Sequence, residues 1–242
     1  YTPGDNISTG THVLYVQERD AVGNWSSSGS STIVIDNTAP TVTLTDDHSD
    51  LRVKDADNVV ITATFNDNMT SAPTISIDVA VGTDADISAT AMSGSGTTWT
   101  YTFDVPSGHD GNATVTVAGT DVAGNAYAGS DTIVYIIDNT APNVTLTDDH
   151  SDLKVKDADN VVITATFDES MTSAPTISID VAVGTDADIS ATAMSGSGTT
   201  WTYTFDVPSG HDGNATVTVA GTDVAGNAYA GSDTIVYIID NT

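Results

Sequence analysis

The sequence predicts an all-β fold made of tandem two-sheet sandwiches, and three observations lead there. Apolar residues alternate with period two along most of the chain, which is the signature of half-buried strands and not of helices. The chain of 242 residues repeats itself with a period of 102: residues 37–138 and 139–240 differ at five aligned positions, Thr41/Asn143, Arg52/Lys154, Asn66/Asp168, Asp67/Glu169 and Asn68/Ser170. Clusters of Gly, Pro, Asn, Asp and Ser separate the alternating runs at short intervals. A repeat this long is a whole domain, because solenoid units of about 20–50 residues cannot bury a core alone.

Residues 1–36 carry the same ending in a more divergent form. Asp20-Ala21-Val22-Gly23-Asn24 answers Asp121-Val122-Ala123-Gly124-Asn125, and Ser31 to Asp36 answers Asp131 to Asp138. They read as the C-terminal part of a preceding repeat, followed by repeats over 37–138 and 139–240 and the start of a further linker at 241–242. An isolated hairpin is marginal in water, so the strands around Val13, Tyr15 and Ile33 are expected to be completed by more chain or by another copy.

Seven strands are expected in each repeat. In the first they lie near Thr41–Thr45, Val59–Phe65, Thr74–Val79, Asp86–Met92, Thr98–Val105, Ala113–Thr120 and Thr132–Ile137. Val59, Ile61, Ala63 and Phe65 share one face of the second strand, Trp99, Tyr101 and Phe103 of the fifth, and Val115 and Val117 of the sixth. Threonine fills the opposite faces, where a β-branched side chain suits a pleated surface without adding charge. Turns are expected at Ser93–Gly96, Pro106–Asn112 and Asp121–Gly129. Seven short strands in about 100 residues describe an immunoglobulin-like sandwich. The Cys-Trp-Cys hallmark of antibody domains is absent, so the architecture alone is implied.

Charge narrows the function classes. With 33 acidic against 5 basic residues and a formal charge of −28, nucleic acid and anionic membrane surfaces are repelled by the whole-molecule field. A cation is the natural partner. No apolar run is long enough for a spanning helix, and no leader pattern opens this segment, so any export signal would lie outside it. The absence of cysteine removes disulfides, thiolate metal sites and thiol catalysis.

Strand polarity then locates the acids. If successive strands alternate in direction, Asp46, Asp47, Asp50, Asp55, Asp57 and Asp110 gather at the trailing end of the first repeat. The opposite end carries the loop at 66–68, or 168–170 in the second copy, and the loop with Asp121 and Asn125, or Asp223 and Asn227. Tandem joining brings these ends together around Asp36 or Asp138 of the linker. The residues expected to hold a metal are Asp36, Asp46, Asp47, Asp67, Asp121, Asn125, Asp138, Asp168, Glu169, Asp223 and Asn227. Carboxylates about 4 Å apart repel by roughly 4 kcal/mol per pair at an effective dielectric near 20, and five basic residues cannot neutralise them. Calcium takes six to eight oxygen ligands of this kind. The competing reading is that the acidic loops are solvated surface that aids solubility. No EF-hand spacing is present, so the cation argument rests on clustering and strand polarity and not on a tight motif.

Other constellations read as structure. His48, His109, His150 and His211 sit beside aspartates without a third ligand at metal spacing, and Ser107-Gly108-His109-Asp110 within one turn is no triad. No nucleophile elbow or phosphate-cradling loop occurs, and no catalytic activity is expected. Trp99 and Trp201 share the inward parity of the core and are read as packing, with a carbohydrate-stacking platform as the alternative. Lys54 and Lys156 read as charge partners of the Asp-rich loops.

The linker Asp138-Asn139-Thr140-Ala141-Pro142, the strand Thr41-Val42-Thr43-Leu44 and the late Asp-x-x-Gly-Asn (Asp20/Asn24, Asp121/Asn125, Asp223/Asn227) resemble the bacterial immunoglobulin-like repeats in the extender regions of giant secreted adhesins, including RTX-type surface proteins. The resemblance covers the whole chain. It implies an extracellular or cell-surface stalk, often rigidified by calcium, which holds a distal adhesive domain away from the cell. It also implies that the Asp of Asp-x-x-Gly-Asn and the Asp of the linker are calcium ligands. The partners implied are neighbouring repeats of the same chain and other copies of it in a fibre; an adhesive target is not identified. Two other classes stay open: a filament subunit assembled by strand addition, and a glycan- or surface-binding module whose repeated weak sites sum by avidity.

Overall fold

The computed structural model describes residues 7–80, 85–182 and 187–242. Asp84, in the acidic run between the third and fourth expected strands, lies outside the described residues. The described residues form twenty strands and no helix. A hairpin of β1 (Gly10–Val16) and β2 (Gly29–Ile35) comes first. Next come β3 (Val42–Asp46), β4 (Arg52–Val53), β5 (Asn58–Phe65), β6 (Thr74–Val79), β7 (Ile87–Ala91), β8 (Ser93–Ser95), β9 (Thr98–Asp104), β10 (Gly111–Ala118) and β11 (Ile133–Ile137). They form a four-stranded sheet ordered β3-β5-β9-β8 and a five-stranded sheet ordered β4-β11-β10-β6-β7.

The second repeat forms the same pair of sheets from β12 (Val144–Asp148), β13 (Lys154–Val155), β14 (Asn160–Phe167), β15 (Thr176–Val181), β16 (Ile189–Ala193), β17 (Ser195–Ser197), β18 (Thr200–Asp206), β19 (Gly213–Ala220) and β20 (Ile235–Ile239). The architecture is an all-β, immunoglobulin-like sandwich. All seven expected strands are present, and two short ones are added.

One addition is β8, at a place the sequence reads as a turn. Gly94 pairs with Trp99 across β8 and β9, with φ +153°, and a Cβ there would stand 2.3 Å from the Thr98 carbonyl oxygen. Only glycine permits that approach, so the turn residue is also a strand residue. The other addition, β4, runs parallel to β11 through Arg52↔Ile136 and Val53↔Ile137. Two residues are too few to leave a period in the sequence.

Burial follows the predicted alternation. Val59, Ile61, Ala63 and Phe65 are buried on β5, Trp99 and Phe103 on β9, and Ala113, Val115 and Val117 on β10. Trp99 is buried and donates its indole N–H to the Gly96 carbonyl at 3.2 Å, which satisfies that donor and fits the packing role. The second core is built around Ile163, Ile177, Ile179, Phe205 and Tyr237, each worth roughly 1.5–3 kcal/mol on burial if fully apolar. In the hairpin β1–β2, by contrast, Val13, Leu14, Tyr15 and Val34 are exposed.

The chain packs as two compact units. One comprises Tyr1–Leu51, Asn58–Asp104 and Asn112–Tyr135, and the other Arg52–Asp57, Val105–Gly111 and Ile136–Thr242. The second unit therefore takes in two loops and the end of β11 from the first sequence repeat.

The turn before β14 carries local strain. Lys156 N–H donates to Asp159 Oδ2 at 2.9 Å and Asp159 N–H to the Lys156 carbonyl at 3.0 Å, which closes the turn with Ala158 at φ 75°. A left-handed conformation costs an L-residue roughly 1–2 kcal/mol, while glycine loses roughly 0.5–1 kcal/mol in unfolded-chain entropy. Ala158→Gly is therefore expected to stabilise the protein by up to about 1 kcal/mol, read as a higher urea midpoint at unchanged slope.

Candidate metal centre

Within the second unit, the loop after β19 holds Asp223 by backbone geometry. Asp223 pairs with Met171 in an isolated bridge, and its carbonyl accepts from the Thr172 hydroxyl. Its Oδ1 accepts from Ala225 N–H and Asn227 N–H, both at 2.8 Å. Asp223 is fully buried, and its Oδ2 has no hydrogen-bond partner. A buried carboxylate oxygen without a donor is costly.

Two further carboxylates converge on it. Asp138 of the linker and Glu169 of the loop after β14, both half-buried, bring a carboxylate oxygen each into a cluster with Asp223, all within 4.8 Å of one another. It is the one such group of three among the described residues. Burial first, then the negative charges of Asp138, Asp223 and Asp168, push the Glu169 carboxyl up to about 7.

The linker itself is fixed by hydrogen bonds. Asp138 N–H donates to the Val53 carbonyl at 2.9 Å, and the Asp138 carbonyl accepts from Asn227 Nδ2 at 2.8 Å. Asn139 donates its N–H to Asp110 Oδ1 at 2.5 Å and its Nδ2 to the His109 carbonyl at 2.6 Å, while its Oδ1 accepts from Asp55 N–H at 2.5 Å. Asn139 was missed as a functional residue in the sequence. Its signal in the sequence is the recurrence of Asp-Asn-Thr at 36–38, 138–140 and 240–242, and Asn241 makes the same bonds to Asp212, His211 and Asp157.

The other expected ligands have different surroundings. The side chain and N–H of Asn143 both donate to Asp168, at 3.0 and 2.8 Å, and these bonds hold its carboxyl below the usual aspartate range. In the first repeat Asn66 Oδ1 accepts from Thr41 N–H at 2.7 Å, so the change from Asn to Asp keeps the same cap. Asp46 Oδ1 accepts from His48 N–H at 2.9 Å and Asp47 Oδ1 from Val60 N–H at 2.8 Å. Both lie near the buried Tyr135 hydroxyl. Burial, with the charges of Asp46 and Asp47, pushes that phenol far above its ordinary value.

Asp36, Asp67, Asp121 and Asn125 belong to the first unit and form no group of three among the described residues. Asp121 Oδ1 accepts from Ala123 and Asn125 N–H at 2.9 Å each, and here its Oδ2 accepts from Asn125 Nδ2 at 3.0 Å. Burial raises the Asp121 carboxyl, but the Asn125 side chain and the loop N–H groups outweigh it and hold it below the usual range. The same amide also donates to the Asp36 carbonyl at 3.2 Å. One asparagine thus silences the oxygen that its counterpart leaves bare.

The donor set fits a hard divalent cation. Three carboxylates, one with an orphaned buried oxygen, match the ligand preference of calcium, and a bound ion would offset the burial and the mutual repulsion that together raise Glu169. Asp138, Glu169 and Asp223 are the residues that would hold it.

The sequence model of the bacterial Ig-like domain (group 3) matches residues 4–98 and 97–242. The chain belongs to the bacterial Ig-like family. No curated protein matches this sequence. Among solved structures, this bacterial Ig-like chain is similar to a tetra-tandem repeat in the extending region of a large adhesion protein, at 24% identity and a TM-score of 0.40; the match covers 96% of this chain and 57% of that one. It is also similar to the titin domains z1z2 in complex with telethonin, at 13% identity and a TM-score of 0.30, covering 86% of this chain and 98% of that one. The chain thus spans little more than half the length of the first of these. No helix among the described residues is long and apolar enough to cross a membrane.

Proposed function

We propose that these bacterial Ig-like repeats are structural extender domains of a cell-surface adhesin, that calcium held by Asp138, Glu169 and Asp223 stiffens the join between successive repeats, and that the run projects a distal adhesive domain outward from the cell. The observation that carries the calcium part is the buried, partnerless Oδ2 of Asp223 at the meeting point of three carboxylates. Near-identity of the two copies supports a spacer, in which reach matters and individual loop chemistry does not. Family membership supports the tandem arrangement, and the role is mechanical, not enzymatic. Extracellular modules of this kind bind calcium at about 10⁻⁴–10⁻³ M, which suits an ion taken up outside the cell.

Small-angle scattering of the 242-residue protein tests the reading. Chelation is expected to shorten the maximum dimension and broaden the distance distribution, and calcium to restore both. Identical curves with and without chelator would leave a plain tether with no metal-dependent stiffness.

A further inference from the structure

The Asp-x-x-Gly-Asn motif occurs three times, and its glycine meets a different environment each time. At the second-unit loop, Lys54 Nζ donates to the Gly226 carbonyl. The contact is close enough that a Cβ at Gly226 would lie 3.3 Å from both Lys54 Cε and Nζ. At the N-terminal loop, Arg19 Nε donates to the Gly23 carbonyl at 3.1 Å. At Gly124, nothing lies within 4 Å of such a Cβ. Exposure follows the same pattern: Val122, Ala123 and Gly124 are exposed, whereas Val224 and Gly226 are half-buried and Ala225 is buried.

Lys54 is presented by a turn that forms without the contact. Lys54 N–H donates to Asp57 Oδ2 at 2.9 Å and Asp57 N–H to the Lys54 carbonyl at 3.0 Å, with Ala56 at φ 80°. Lys156 sits in the same turn with the same bonds, yet it is exposed while Lys54 is half-buried. The lysine is therefore held ready by its own loop.

We propose that Lys54 is a metal-independent latch, an ammonium that fastens the 52–57 loop to the glycine carbonyl of the next repeat's Asp-x-x-Gly-Asn loop. The join would then have two ties of different chemistry: a carboxylate cluster that needs a cation, and a protein-supplied cation on a backbone oxygen. A charged donor on a carbonyl is stronger than a neutral one, and a neutral acceptor leaves this tie insensitive to chelators.

Hydrogen exchange of the intact chain in chelator, followed in peptides spanning 223–229, tests the latch. Lys54→Met keeps the apolar stem and removes the donor, and is expected to speed exchange there by about tenfold. Lys156→Met is expected to change nothing in those peptides. Lys54→Arg is expected to keep most of the protection, as Arg19 makes the equivalent bond. Wild-type exchange in Lys54→Met overturns the latch, and so does equal acceleration by Lys156→Met. Added calcium is expected to slow exchange by the same factor in Lys54→Met as in the parent. If calcium does nothing in either while Lys54→Met still opens the loop, the calcium reading falls and the latch stands.

Discussion

Calcium at a hundred times its dissociation constant is expected to raise the melting temperature of the second unit by about 10 °C, because binding to the native state alone is worth about 2.7 kcal/mol at that excess. Glu169→Gln is expected to abolish the response while raising the melting temperature of the metal-free protein. It deletes a ligand charge and, with it, the repulsion from Asp138 and Asp223.

The pH dependence has a definite sign. In the folded protein the Glu169 carboxyl is raised to about 7, against 4.5 ordinarily. Between those values the folded chain binds a proton that the unfolded chain does not, so metal-free stability falls as pH rises through that window and is lowest above 7. Calcium binding requires the carboxylates ionised. The calcium-induced shift is therefore expected to be larger at pH 8 than at pH 5.5 by differential scanning calorimetry. Equal shifts at the two pH values, or an unaltered response in Glu169→Gln, would remove Glu169 from the site.

The second large effect is a contrast between two aspartates at equivalent positions. Asp121→Asn is expected to destabilise the first unit by about 1–3 kcal/mol. Its Oδ1 must keep accepting from Ala123 and Asn125, so the new amide nitrogen replaces the Oδ2 that accepts from Asn125 Nδ2. Two donors then face each other. Flipping Asn125 would relieve that clash only by breaking its bond to the Asp36 carbonyl.

Asp223→Asn is expected to do the reverse in metal-free protein. Asn227 Nδ2 bonds the Asp138 carbonyl and leaves Asp223 Oδ2 without a partner. A nitrogen placed there supplies a donor to the Asp138 and Glu169 carboxylates and removes one charge from the cluster. Stability in chelator should rise, and the calcium response should vanish. Loss of stability of the same size in both variants, measured by urea unfolding, would show that the two loops are chemically equivalent.

Much of the fold is legible in one dimension because a strand needs only its own alternation to declare itself. Val59, Ile61, Ala63 and Phe65 announce β5 and its buried face, and all four are buried. What the alternation cannot show is a strand too short to have a period, such as β4, or one whose defining residue is a glycine with no side chain to place, such as Gly94 in β8. The candidate metal residues divide in the same way. Composition pointed to aspartates at the joins, and polarity brought loops from two repeats to one place, but neither ranked the eleven candidate ligands, and the resemblance singled out only the linker and Asp-x-x-Gly-Asn aspartates, without Glu169. Burial and hydrogen bonding together separate them: the second carboxylate oxygens of Asp121 and Asp168 accept from the Asn125 and Asn143 amides, whereas Asp223 keeps a buried oxygen bare.

By itself, the sequence determined the all-β sandwich, the length of the repeat and the surplus of negative charge, since all three are properties of order and composition along the chain. Only the tertiary structure decided which carboxylates meet and which cation reaches Gly226. Asp138, Glu169 and Asp223, like Lys54 and Gly226, are far apart in sequence. Their proximity is set by sheet pairing and by the direction of single side-chain amides, and no linear pattern encodes either.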